Sequence, residues 1–365
     1  MSDNPKEAEE KMAKAIFISA DCWLCVFDLL PAYQLGLGIA LISHRFDFYV
    51  DEHFKTRKWA LGNFRIWPKI GKNGKKEMEI LNSIYAYDVK ALPIPQVQLL
   101  RKVTGFKQII IFYIDRNAIA FLHYFRHLFA FCPINLTINT CNYRITEFVL
   151  RNIWPMLAKN ICSMRLCVGV FHSLRKFAAS ILNDCPSLRV VSFYAKQYYF
   201  FTKFPADDSA MASDGQALAK WLFTALPNNV PKVLNCWLDN DDWNLASIVE
   251  AFKAAFASAS SPANFIVVIW FCWSVTDSVV PSDLTNELTR EQLAFKRTEY
   301  RNCFLLIRCP ITRDESIWTK WEEEAIGWQI RRDQWNQIDI RIYNEGEIAD
   351  GLLDTTPGPS DQQQK

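Results

Sequence analysis

Four short apolar segments constrain what this chain can fold into. Each places large apolar side chains at x, x+3 and x+5: Phe106/Ile109/Ile111, Phe131/Ile134/Leu136, Ile161/Met164/Leu166 and Leu188/Val191/Phe193. Their starts lie 25, 30 and 27 residues apart. The last two positions of each triplet are two apart, the period of a strand that buries one face. Between the triplets, residues 117–129, 146–158 and 173–182 carry apolar side chains at helical spacing. A strand and then a helix, repeated, makes successive strands parallel and leaves each unit dependent on its neighbour for a core. Val233/Cys236/Leu238, Ile266/Ile269/Phe271, Phe304/Ile307/Cys309 and residues 338–342 continue the pattern more loosely, at intervals of 33 to 45 residues.

Self-similarity of this length, with one strand and one helix per unit, is the signature of leucine-rich-type solenoids. The step Asn183-Asp184-Cys185-Pro186-Ser187-Leu188 is similar to the cysteine-containing version of that repeat. The expected fold class is therefore α/β, with an irregular leucine-rich-repeat-like β-α solenoid over residues 106–345. One open α/β sheet domain built from the same units is the alternative. Either presents strand edges and loops as a binding surface rather than a deep catalytic cleft.

Composition then narrows the function classes. Twelve glycines in 365 residues is about half the roughly 7% of an average globular chain, which argues against chemistry built on glycine-rich phosphate loops. Gly36-Leu37-Gly38 lies in a helical pattern rather than after a strand, and Gly71-Lys72-Asn73-Gly74-Lys75-Lys76 lacks phosphate-loop spacing. No Gly-x-Ser-x-Gly elbow occurs, and the five histidines suggest no nucleophile–histidine–acid arrangement. Cys22-Trp23-Leu24-Cys25 has no second pair to complete a zinc site and reads as buried thiols. His123 and His127 lack the intervening glutamate of a metalloprotease helix, whose place Tyr124 takes. Asp239-Asn240-Asp241-Asp242 reads as a helix cap rather than a calcium loop. The chain is expected to be no enzyme, and to need no cofactor or metal.

The formal charge of +2 creates no field that demands a nucleic acid or a membrane. From Lys55 to Lys76 eight basic residues and no acidic one interleave with Trp59, Phe64 and Trp67. That composition suits a single-strand nucleic-acid surface or a solvated linker. The linker is the preferred reading, and residues 61–105 are taken as irregular and basic. Trp318, Trp321, Ala325 and Trp328 form a helical stripe, with Glu322–Glu324 on its wet side, expected to pack the last strands shut. Residues 346–365 are polar with little to bury, and are expected to be a disordered tail. The acidic lead has no positive stretch followed by an apolar one, as a secretory signal would. The apolar run 263–273 is shorter than the about 20 residues a bilayer requires. Eleven cysteines without framework spacing read as reduced thiols. A cytoplasmic or nuclear location is expected, with no membrane partner.

The N-terminal residues 15–60 carry a different pattern. Trp23, Val26, Phe27 and Leu30 recur on one helical face, and Ser19 or Asp21 can cap its start. Pro31 breaks that helix. Leu35, Ile39, Ile42, Phe46 and Val50 mark a second apolar face. Two short amphipathic helices need the body of the protein or a partner to bury them.

Residues 17–55 resemble an F-box, the module that docks a substrate receptor onto the Skp-type adaptor of a cullin-based ubiquitin ligase. In that family the first helix ends in an apolar residue before a short break, and the second carries a leucine pair and then a small–x–basic–aromatic step. Here Leu30-Pro31 stand at the break, Leu35 and Leu37 at the pair, and Ser43-His44-Arg45-Phe46 at the step. Ser19-Ala20 stand where the family usually opens with Leu-Pro. With its Ser2-Asp3-Asn4-Pro5 opening and late Trp321-Glu322-Glu323-Glu324-Ala325 segment, the chain as a whole is similar to lineage-expanded F-box-like families of nematodes, cyst nematodes in particular. The resemblance implies that Trp23, Phe27, Leu30, Pro31, Leu35 and Leu37 face the adaptor. It also implies that the repeat region binds a target protein and brings it to a Skp-cullin complex. The competing expectation is an interaction scaffold whose helices merely cap the solenoid.

Overall fold

Ser19 sets where the chain first becomes helical: its hydroxyl accepts the Cys22 backbone N–H and caps α1 (Ala20–Phe27). In this computed structural model the described residues are 18–30, 35–56, 60–81, 105–140, 142–193, 202–238, 245–271, 281–300, 302–330, 335–349 and 351–353. A π-helical turn (Leu35–Ile39) and α2 (His44–Thr56) follow α1. The second apolar face is therefore not one helix. The Ala40 N–H bonds back to the Leu35 carbonyl and the Ile42 N–H to that of Ile39, and α2 restarts at a Ser43 cap. Gly36 and Gly38, both poor helix formers, lie in the interrupted stretch, and Ile42 is left 63% exposed. Phe27, Leu35, Ala40, Val50 and Phe54 form the core of these helices, with the Trp23 ring edge-on to Phe46 at 4.8 Å. By its contacts this N-terminal unit is separate from the body, which begins at Asn63.

Over residues 60–81 the expected irregular linker is a pair of strands instead, while residues 82–104 of it lie outside the described residues. β1 (Ala60–Ile70) and β2 (Lys76–Leu81) pair antiparallel from Arg65↔Leu81 to Ile70↔Lys76. Their turn closes through Gly71 N–H to Lys75 O and Gly74 N–H to Gly71 O, with Gly74 at φ +75°, a conformation that favours glycine. Lys69 pairs with Glu79 across the strands, and Phe64 is buried against Phe121 and Phe125. The outer strand is tied in from below. Asp115 accepts the Met78 N–H with one carboxylate oxygen, and with the other caps α3 (Arg116–Tyr124) through the Ala118 N–H.

The triplets produce parallel strands, as expected: β3 (Gly105–Ile111), β4 (Ile134–Asn139), β5 (Ile161–Leu166) and β6 (Val190–Phe193). β7 (Lys232–Leu238) and β8 (Phe265–Phe271) continue them. Between the strands lie α4 (Arg126–Phe131), α5 (Tyr143–Asn152), α6 (Trp154–Leu157), α7 (Val168–Phe177), α8 (Asp214–Leu222) and α9 (Leu245–Ala257). β9 (Ser282–Asn286), β10 (Glu291–Arg297), β11 (Cys303–Pro310), α10 (Glu315–Ile330) and β12 (Gln337–Arg341) complete the body. The described strands form one twelve-stranded sheet in the order β2-β1-β3-β12-β4-β5-β6-β7-β8-β11-β10-β9. Side by side across its seven parallel strands run Ile109, Ile338, Leu136, Met164, Val191, Leu234 and Val267. The second triplet is thus offset: Leu136 and Ile138, rather than Ile134 and Leu136, are the counterparts of Ile109 and Ile111, aligned through Ile338 and Ile340 of β12. Phe131 lies outside the core, 87% exposed at the end of α4.

The expected solenoid gives way to an open α/β sheet for three reasons. β12, last in the chain, lies between β3 and β4 and is parallel to both. β11, β10 and β9 run antiparallel to their neighbours. Helices also cover both faces. On one, Phe193 meets Phe171 of α7 and Phe265 meets Phe252 of α9. On the other, Trp318 and Ala325 of α10 are buried against Val190, Val233, Ile266, Val268, Leu305 and Ile307, with Trp321 and Trp328 packed alongside. β8 is buried along its whole length, as a strand covered twice should be. The tryptophan stripe closes these strands as expected, but Glu322 is not on the wet side: it is buried and paired with Lys296 and Arg313. Of the expected tail, residues 346–349 and 351–353 are described and the first of these pack on the body, while residues 354–365 lie outside the described residues. Ile348 is buried and forms a parallel bridge with Ile114.

One buried cation makes stability depend on pH. Lys232 is 4% exposed, donates to the Trp221 carbonyl at the end of α8, and lies 5.0 Å from the Trp221 ring centroid. Burial pulls its ammonium down to about 8. The unfolded chain therefore binds more protons between about pH 8 and the ordinary lysine value, and folding gains as pH rises through that window. Against Lys232→Met, the wild type should gain roughly 3 kcal/mol between pH 7.5 and 10.5, read from denaturant midpoints. Buried thiols act the other way. Burial raises Cys162 and Cys303 to about 11 and Cys185 and Cys236 to about 12, so stability they confer below pH 9 is lost above it. That loss is common to both chains and cancels in the comparison.

Candidate functional site

The six residues expected to face an adaptor fall into three groups. Phe27 and Leu35 are 1% and 0% exposed, at the centre of the N-terminal unit, where they hold the helices together rather than present surface. Trp23 and Leu30 are half-buried at the rim of that core. Pro31 and the side chain of Leu37 lie outside the described residues. What the unit turns to solvent is another apolar set: Val26 on α1, Leu29 in the turn that follows it, Leu41 and Ile42 in the second turn, and Phe48 on α2. Leu29 is 84% exposed. The Leu29 N–H bonds back to the Val26 carbonyl in the turn that ends the helix. At the family-like step, Arg45 is anchored rather than loose, bonding the Tyr49 hydroxyl and the Ile18 carbonyl.

The body carries a second candidate surface that the sequence did not suggest. Asp339, Thr137, Arg165, Ser192 and Asn235 lie directly opposite one another on β12, β4, β5, β6 and β7, forming one polar row across the sheet. At about 4.8 Å per strand the row is roughly 19 Å long. Half-buried Gln337, Asn135 and Arg341 flank it. Arg341 grips Asp339 with two nitrogens on one oxygen and lies 5.8 Å from the Phe112 ring centroid. The other Asp339 oxygen is buried with no hydrogen-bond partner. Arg165 donates to the Trp328 carbonyl, which ties the row to α10. At the far end Asn235 is 0% exposed, and neither its amide oxygen nor its nitrogen is hydrogen-bonded. A buried amide left unpaired costs about 1–3 kcal/mol. Asn235→Leu is therefore expected to raise stability by about 1 kcal/mol or more, and a fall in denaturant midpoint would show that the amide is engaged.

The signal for this row was present as alternation. β4 reads Ile-Asn-Leu-Thr-Ile-Asn and β12 Gln-Ile-Asp-Ile-Arg, apolar and polar side chains alternating between the two faces, the polar ones on the face that carries α10. Only the register and the insertion of β12 bring those polar positions together.

The remaining motifs take structural places. Cys22 and Cys25 are exposed, not buried, because they lie on the outer side of α1. His123 and His127 are divided by the break at Phe125, and His127 contacts the Tyr124 carbonyl. Residues 239–242 lie outside the described residues. Among the described residues no group of three or more histidine, cysteine, aspartate or glutamate side chains is placed to hold a metal, and no helix is long and apolar enough to cross a membrane. The chain has no match among family models, curated proteins or solved structures.

Proposed function

We propose that the chain is the substrate-recognition adaptor of a Skp-cullin-F-box-type ubiquitin ligase, with the N-terminal helices binding a Skp-type adaptor and the α/β body binding a target protein. The observation that carries this reading is the apolar surface of the helical unit. It closes its own core and still leaves Val26, Leu29, Leu41, Ile42 and Phe48 in water. Five exposed large apolar side chains on so small a unit support a covering partner, and the F-box resemblance of residues 17–55 supplies the identity proposed for it. Strands β4 to β8 follow one another in the chain and in the sheet, which supports a leucine-rich-repeat-like character for that part of the body. Of its polar row only the half-buried Thr137 and Arg165, with flanking Gln337, Asn135 and Arg341, are open to offer a target hydrogen-bonding groups; Asp339, Ser192 and Asn235 are buried. No residue of the chain performs chemistry in this reading. The receptor contributes proximity, raising the effective concentration of target lysines near the transfer machinery.

Co-purification tests the reading. Tagged full-length protein should recover a Skp-type adaptor from an extract. Leu29→Asp combined with Phe48→Asp, both at exposed positions, should cut recovery about tenfold or more while the body's thermal transition stays in place. Phe27→Asp is unsuitable, since it would break the helical core. Undiminished recovery by the double variant, or none by the wild type, would refute the proposal.

A further inference from the structure

The basic, aromatic stretch whose composition suits either a linker or a nucleic-acid surface is the β1–β2 hairpin at one edge of the sheet. Residues 60–81 carry five cations and two carboxylates, an excess of +3 where the whole chain has +2. Glu79 is held by Lys69, and the surplus gathers at the turn, where Lys72, Lys75 and Lys76 are exposed. The positive charge of the chain is thus concentrated at one corner of the body, which is the electrostatic footprint a polyanion requires.

A platform adjoins that corner. Phe64 and Ile66 turn inward, so Trp67 turns to the other face of the sheet, where it is 43% exposed and its ring lies 4.6 Å from Phe112, just past β3. The Arg341 guanidinium lies 5.8 Å from the same Phe112 ring. Asn139 of β4 is directly opposite Arg341, and its amide donates to the hydroxyl of Tyr343, which is 51% exposed. Strands β1, β3, β12 and β4 are neighbours in that order, so the row spans about 14 Å at about 4.8 Å per strand. On this face α10 packs against β6, β7, β8 and β11 and reaches back to β5 through Arg165. Trp67 and Tyr343 lie beyond it, in water. Rings on an open sheet face, with a guanidinium and an amide in line, supply stacking surfaces and hydrogen bonds for unpaired bases. The platform is fixed before binding, since the Phe112 N–H bonds the Ile66 carbonyl and Asp339 holds Arg341, which lowers the ordering cost.

We propose that this corner of the sheet binds single-stranded RNA. Bases stack on Trp67 and Phe112, Arg341 and Asn139 bond base edges or ribose hydroxyls, and phosphates meet Lys72 and Lys75 at the end of the hairpin, about 10 Å or more from Trp67 along β1. The polar groups beside the rings favour RNA over DNA, because the ribose 2′-hydroxyl gives them a partner that DNA lacks. The polar row offered to a protein target runs away from this corner, from β12 towards β7. The site stands whether or not the adaptor reading holds.

The test is fluorescence anisotropy of the full chain with fluorescein-labelled dodecauridylate, between about 50 and about 200 mM salt. Unlabelled oligo(dT) of the same length, an RNA duplex and polyglutamate serve as competitors. Saturable binding that weakens as salt rises is expected. Trp67→Ala should weaken it about tenfold and leave its salt dependence unchanged. Lys72→Gln with Lys75→Gln should weaken it and lower the slope of log affinity against log salt by about 1.4. Oligo(dT) and the duplex should compete several-fold less well than unlabelled dodecauridylate. Both variants are at exposed positions, thermal midpoints check folding, and if Trp67→Ala unfolds the chain the lysine variant decides. The proposal is overturned by the absence of saturable binding, by folded Trp67→Ala binding like wild type, or by an unchanged slope in the lysine variant. Equal competition by oligo(dT) or the duplex also overturns it, and equal competition by polyglutamate would assign the corner to an acidic polypeptide instead. Trp67→Ala should recover a Skp-type adaptor as wild type does, so failure here is distinguishable from failure of the adaptor reading.

Discussion

Replacing Glu291 with leucine should destabilise the body by about 3–5 kcal/mol, and adding Arg308→Met should restore most of that loss. The two side chains are 2% and 0% exposed, with the Arg308 Nε and one terminal nitrogen on a single Glu291 oxygen at 3.0 and 2.6 Å. The second Glu291 oxygen accepts the Ala263 N–H, and Arg308 also reaches the Ser261 carbonyl. The guanidinium lies 5.2 Å from the ring centroids of both Phe223 and Phe256. The pair ties the loop after α9 to β10 and β11, while the other Arg308 terminal nitrogen is buried with no hydrogen-bond partner. Its desolvation offsets much of its attraction, however, so the large effect is the charge stranded when one member is removed. Equilibrium denaturation of the two single variants and the double variant measures this. Losses that simply add would show that the pair does not act as a unit.

Trp318→Ala should cost about 3–5 kcal/mol, because the two-faced burial of the sheet depends on α10. Trp318 is 4% exposed, edge-on to Trp321 at 5.3 Å, with the Arg313 guanidinium 5.1 Å from its ring centroid. In a solenoid with an open strand face, that helix would be peripheral and the loss within about 1 kcal/mol. The denaturant midpoint therefore separates the two architectures.

These two sites show what the sequence could and could not reveal. The triplets located β3, β5 and β6 because a half-buried strand imposes its period on the residues themselves. The tryptophan stripe located α10 for the same reason. β12 was visible as a strand, but not its place between β3 and β4, since nothing local to Ile338 or Ile340 specifies which neighbours it pairs with. The hairpin of β1 and β2 was concealed by its lysines, which stay in water while Phe64 and Ile66 turn inward. The apolar helices at the N-terminus were legible as a unit. Which of their side chains face out was not, because the break at residues 40–43 rotates Leu41 and Ile42 away from the face that Leu35 and Ile39 begin. The polar row needed the full register, and Asn235 on its own strand reads only as an interruption in an apolar run.

The adaptor-binding claim is decided most directly by calorimetric titration of the full chain with purified Skp-type adaptor. One-to-one binding is predicted, weakened about tenfold or more by Leu29→Asp with Phe48→Asp and unchanged by Trp67→Ala. No measurable binding, or equal affinity in the double variant, would contradict it.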